Sequence, residues 1–248
     1  VRGRRGSQPV EPGWEPLRPR TLVDRVIEAL IAGAARGLIL PGDRIVETDV
    51  AQRLGISRVP VREALRILES QGIVVNEPYK GIRLTPVTPE RIDQLIEARI
   101  ALETTAAARA IRAGRNGEAD TAELARLVDE LELMSLRGDA YGFAAADAAF
   151  HRAMMRLSGN DVLCELWEPL SRQLTIIFGL STFGKPMPAI VDEHRVLTAV
   201  LRSGDAEAMA RELHDHIAVQ IHQVDLAGIV DRRRSERDRA GINGGGKG

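Results

Sequence analysis

Aromatic residues make up only 3% of this 248-residue chain. Strands draw on aromatic and β-branched side chains, so a chain rich instead in Leu, Ala, Ile and Arg favours helix. Cysteine is nearly absent. Cys164 stands alone, which excludes an internal disulfide and suits a reducing cytoplasm. No apolar run approaches the roughly 20 residues that a membrane span needs. Residues 1–19 contain a twin arginine with no apolar stretch behind it, which reads as a disordered basic leader and not as an export signal. Internal repeats are lacking too. What is present is 44% hydrophobic content, enough for a substantial core.

Net charge is −1, and that figure hides an asymmetry. From Arg20 to Val87 there are ten Lys/Arg against eight Asp/Glu, a net of +2. From Thr88 to Ile229 there are fourteen Lys/Arg against 22 Asp/Glu, a net of −8. The first segment can lie against a polyanion, and the second would be repelled by one. Residues 231–248 are charged, then glycine-rich, without apolar periodicity, and are expected to be disordered.

Residues 20–87 read as one domain. Thr21 caps a helix in which Leu22, Val26, Ala29 and Leu30 recur at helical spacing. A turn at Pro41-Gly42 follows, then a short helix over about Glu47 to Leu54 that Gly55 ends. Ser57 opens the next helix, which runs to about Gln71. On it Arg58, Arg62 and Arg66 lie four apart on one face, while Val61, Leu65 and Leu68 hold an apolar face. Helix, short turn, helix is the arrangement whose second helix enters the major groove. Past Gly72, β-branched residues flank "NEPYKG", which predicts a two-stranded wing with Lys80 at its tip, within reach of a phosphate or the minor groove. Guanidinium groups match guanine and phosphate with paired donors, and a serine at a helix start favours an anion. Read alone, the arginine helix could also be a solvated face paired to Glu63 and Glu69. The wing and the charge asymmetry favour DNA.

These residues resemble a family. "LPGDRIVETDVAQRLGISRVPVREALRILESQGIV", followed by "KG" in the wing, is similar to the DNA-binding domain of the GntR family of bacterial transcription regulators. The resemblance implies operator contacts from Ser57, Arg58, Arg62 and Gly81. Arg66 and Lys80 join them on charge and position. Some relatives carry a DNA-contacting arginine where this chain has Thr48. Val59, at a position where threonine is common, offers only its backbone N–H.

Residues 88–230 show no strand pattern. Thr88-Pro89-Glu90 starts a long amphipathic helix, and five further helices follow, one of them containing Pro169, which can kink or divide it. An antiparallel all-helical bundle is expected. The chain is thus mainly α, with an N-terminal winged helix-turn-helix, a small two-stranded wing and a C-terminal bundle.

All five histidines, His151, His194, His214, His216 and His222, fall in the latter part of this bundle. Asp147 and His151 are i, i+4, a spacing that suits two ligands to one metal ion. His194 and His216 come from two other helices. Spacing alone leaves a metal site and ordinary amphipathic histidines both open. Nitrogen and oxygen donors would suit zinc first, with nickel, manganese or cobalt as alternatives.

Here too there is a resemblance. "DAAFHRAMMRLSGN", "EHRVLTAVLRSGDAEAM" and the "HI" at His216 are similar to the FCD effector domain of the FadR subfamily, over nearly all of residues 88–225. In its metal-binding branch the ligands fall on Asp147, His151, His194 and His216, with His214 as second choice for the last. The resemblance implies a small organic acid as effector, with Arg99 as the clamp for its carboxylate. Arg99 could equally pair with Glu97 or Glu103. The function implied is a homodimeric repressor on a palindromic operator, relieved or engaged by a metabolite. Two other readings are a metal-dependent hydrolase or lyase using the Asp/His₃ set, and a regulator that senses the metal itself.

Overall fold

The computed structural model describes residues 21–181, 186–221 and 225–239. The basic leader of residues 1–19 and His222 lie outside these residues. Helix α1 (Leu22–Ala35) starts at Thr21, whose hydroxyl accepts from the Asp24 amide while Asp24 takes the Thr21 amide in return. This reciprocal cap fixes where the first domain begins. Helices α2 (Glu47–Leu54) and α3 (Arg58–Ser70) follow. They are joined at Gly55, whose φ of 65° is left-handed backbone that a side chain disfavours. Strands β1 (Val74–Glu77) and β2 (Gly81–Leu84) pair antiparallel, with Val74 opposite Leu84 and Glu77 opposite Gly81. An isolated bridge from Arg44 to Arg83 ties the α1–α2 connection to the wing. This is a winged helix.

Six helices build the second part: α4 (Pro89–Arg112), α5 (Ala122–Arg137), α6 (Ala140–Leu157), α7 (Asp161–Ser181), α8 (Met187–Ser203) and α9 (Ala206–Ile221). Pro169 does not divide α7, which is one helix of 21 residues. Helix α6 packs between α5 and α7, α4 packs on α6, α7 and α9, and α8 closes against α5 and α9. Among the described residues no helix is long and apolar enough to cross a membrane.

Two features differ from the sequence reading. First, residues 231–239, expected to be disordered, belong to a further helix, α10 (Leu226–Arg239). Its arginines return to the winged helix. Arg237 pairs with Asp43, Nη2 lying 3.3 Å from Oδ1, and Arg234 and Arg233 donate to the carbonyls of Pro41 and Arg36. The helix has almost no apolar periodicity, so its placement rests on these charge-assisted bonds and could not show in a hydrophobic pattern. Second, the boundary near residue 87 is not a break in packing. One apolar core runs from Val26, Leu65 and Leu84 through Leu95 and Ile177 to Phe150 and Leu213. At the junction α1 crosses α7, and a Cβ on Gly179 would lie 2.6 Å from the Cβ of Ala35. Only glycine permits that approach.

Candidate metal centre and DNA-reading surface

Helix α6 carries Asp147 and His151 one turn apart, α8 carries His194, and α9 carries His216. All four are buried. One ligand atom of each lies within 4.8 Å of the others. Asp147 Oδ1 is 3.2 Å from His194 Nε2 and 3.9 Å from His151 Nε2, and His151 Nε2 is 3.2 Å from His216 Nε2. His216 is 2% exposed, while His214, two residues back on the same helix, is exposed beside Asp215.

The opposite nitrogens explain the convergence. His194 Nδ1 donates to the carbonyl of Ile190 at 2.8 Å, one turn back on α8. His216 Nδ1 donates to Glu193 Oε2 at 3.0 Å. His151 Nδ1 sits 2.8 Å from Glu103 Oε2. The Nδ1 of His194 and of His216 each faces a group that only accepts, so each carries the proton and leaves its Nε2 a bare lone pair, whereas His151 Nδ1 and Glu103 Oε2 lie close without an aligned hydrogen bond. The bare Nε2 of His216 then faces His151 Nε2 at 3.2 Å. Asp147 Oδ1 and His194 Nε2 are buried and make no hydrogen bond. A cation among these four atoms would satisfy all of them. The donor set is compatible with a metal ion bound by nitrogen and oxygen.

Electrostatics agree. Burial pushes His216 down to about 3, against the opposing bond to Glu193. Burial likewise lowers His151, helped by the Arg99 charge. Both are neutral at neutral pH, the form that binds metal. Burial would raise Asp147 and Glu103, but the groups packed around them win. Glu103 is held at about 2, chiefly by Arg99, and Asp147 is held well below the usual carboxylate range by His194, His151 and Arg99.

Glu103, which the sequence offered only as a partner for Arg99, is fully buried on α4. It accepts from Arg99 Nε at 2.7 Å and Trp167 Nε1 at 2.8 Å as it orients His151. Arg99 therefore pairs with Glu103, and its Nη2 lies 3.9 Å from Asp147. Its Nη1 has no partner, and neither does the hydroxyl of Ser171 on α7. These two residues line one small cavity beside the cluster, with Asp147, Trp167, Leu174 and Phe178.

On the winged helix, α3 buries Val61, Ala64, Leu65 and Leu68. Arg58, Arg62 and Arg66 stay exposed on the other face. Ser57 occupies the N-cap, but its hydroxyl makes no capping bond, so the cap expected from sequence is absent. Val59 is exposed at the same helix start. Lys80 lies at the wing turn 3.1 Å from Glu77, and Gly81 beside it has a φ of 78°. Arg66 pairs with Glu63 as the solvated-face reading supposed, but Arg58 and Arg62 both reach across to Glu47 on α2.

A winged helix fused through a shared core to a helical body is the build of a DNA-binding regulator. Residues 22–84 match the family described as bacterial regulatory proteins, gntR family, and residues 94–219 match the FCD domain. The chain belongs to the GntR family of transcription regulators with an FCD domain, and its members are regulators, not enzymes. It is similar to the regulator McbR of Escherichia coli, with 27% identity over 224 residues, 86% of this chain and 98% of that one. The solved structure of E. coli McbR superposes with a TM-score of 0.72 at 25% identity, covering 87% of this chain and all of that one. A probable D-xylose utilization operon repressor of Paenarthrobacter nicotinovorans is 26% identical over 205 residues, 83% of this chain and 89% of the relative. The gluconate operon repressor of Bacillus subtilis is 25% identical over 198 residues, 77% of this chain and 80% of the relative.

Proposed function

We propose that this regulator is a homodimeric repressor of a palindromic operator, controlled by a small carboxylate bound at a divalent metal in the helical domain. The observation that carries the reading is the set of four buried residues whose ligand atoms converge, with the Nδ1 of His194 and of His216 already hydrogen-bonded on the far side. When bound there, the metal supplies open coordination positions that attract a carboxylate. The chain's own residues do the rest. Asp147, His151, His194 and His216 hold the ion. Arg99, with Nη1 free, and Ser171, with its hydroxyl free, offer donors to the rest of the ligand. Relatives named for gluconate and D-xylose operons make sugar acids and related small acids the first effectors to try.

Coupling to DNA has a physical path. Ser171 faces the cavity, and the next two residues of α7 hold the C-cap of α3. Arg172 Nη1 donates to Gln71 Oε1 at 2.8 Å, and Gln173 Nε2 donates to the Gln71 carbonyl at 3.1 Å. A ligand that resets α7 moves the end of the recognition helix directly, in addition to any effect through the 86–89 connection. It can change operator affinity only by as much as its own affinity differs between the two arrangements.

The test is capture of genomic DNA fragments by the purified protein, with and without pools of organic acids and added metal. An enriched palindrome that an acid releases only in the metal-loaded protein supports the reading. Release by chelation alone, with no response to any acid, would make the protein a metal sensor. Full metal content in both His151→Ala and His194→Ala would place the ion elsewhere.

A further inference from the structure

We propose that Glu47 is a positioning residue of the DNA-reading surface: it grips the Arg62 guanidinium from the side and leaves the end-on edge for a base. Glu47 is the first residue of α2, and its side chain is only 22% exposed as it leans over the start of α3. Arg62 meets it through Nε at 3.2 and 3.3 Å and through Nη2 at 3.1 Å. A guanidinium has five N–H donors. This side-on grip uses the Nε–H and one Nη2–H. Both Nη1 donors and the second Nη2 donor remain, and these form the fork that fits guanine O6 and N7. Arg58 gives the same carboxylate one Nη2 contact at 3.4 Å and keeps its remaining donors.

Stability does not account for this carboxylate. Exposed ion pairs contribute little to folding, and Arg58 and Arg62 are about half exposed. A carboxylate beside two arginines also repels the phosphates those arginines would attract, so it should cost non-specific affinity. The arrangement makes sense if Glu47 fixes the guanidinium plane before DNA arrives, which reduces the rotamer entropy lost on binding. Arg66 differs in having only one contact, to Glu63 on its own helix. The proposal rests on the DNA-reading role of α3.

The experiment compares full-length wild type, Glu47→Gln and Glu47→Asp. Each is titrated against the duplex recovered by genomic capture and against a scrambled duplex at the same salt. Glu47→Asp keeps the charge but loses reach, and Glu47→Gln keeps reach but loses charge. Both should lower the ratio of specific to scrambled affinity about tenfold, the scale of one bidentate base contact. Both should also relax preference at the same base pair that Arg62→Ala relaxes. An unchanged ratio in both variants, or wild-type behaviour of Glu47→Asp, would overturn the proposal and leave Glu47 as a local counter-charge. Wild type with no preference between the duplexes would instead remove the α3 assignment on which it rests.

Discussion

Arg58→Ala or Arg62→Ala should each weaken specific operator binding by about 1–3 kcal/mol while scrambled DNA loses much less, measured by titration at fixed salt. At the candidate metal centre the informative residue is Glu103. Glu103→Gln keeps the volume but removes the charge that faces His151 and Arg99. Metal affinity should fall roughly 10- to 100-fold, read by chelator competition, although all four ligands remain. What sequence made legible at this scale follows from periodicity. The i, i+4 pair of Asp147 and His151, and the choice of His216 over His214, are statements about helix faces, and the buried positions agree with them. The approach of Glu103 to His151 was not legible, because the two lie on different helices at a separation that no local pattern encodes. Glu193, next to His194 in sequence, does not share its direction. The structure turns it toward His216 Nδ1 instead, since neighbours on a helix diverge by about 100°.

Elements with an apolar stripe were readable, and α10 was not. Its attachment to the Arg36–Asp43 turn is ionic and should respond to charge. Arg237→Ala should raise amide exchange in α10 and in residues 37–43 while hardly moving the melting temperature, because partly exposed ion pairs contribute about 1 kcal/mol or less. The Asp43 carboxyl feels burial, which raises its pKa, but Arg237, the Leu40 amide and Arg234 together hold it below the ordinary 3.8. A lowered folded-state pKa means the contribution is complete above the unfolded value and is lost as pH falls through the folded one. Exchange protection of α10 should therefore be flat from neutral pH down to about 4 and collapse only in stronger acid. The α1–α7 crossing behaves differently, being a matter of packing. Gly179→Ala would force Ala35 away and should cost about 1–3 kcal/mol, seen as a lower melting temperature.

Across the whole molecule, the winged helix and the helical body share one core. They are also joined by the Gln71 grip and by Arg36, whose guanidinium stacks 4.2 Å over Tyr141. The charge contrast and the change in period suggested a two-domain division. The continuity of packing between the domains was not, since it depends on which apolar faces meet in space. One consequence concerns how motion in this protein can be observed. Because α10 folds back, the far end of the described chain at Arg239 belongs to the neighbourhood of Asp43 and not to a distal pole. A dye coupled just after Arg239 and another at exposed Leu38 would form a short-range ruler across the domain junction. An effector that leaves α10 seated should keep energy transfer constant, whereas one that works by unseating the winged helix should dim it as ligand is added.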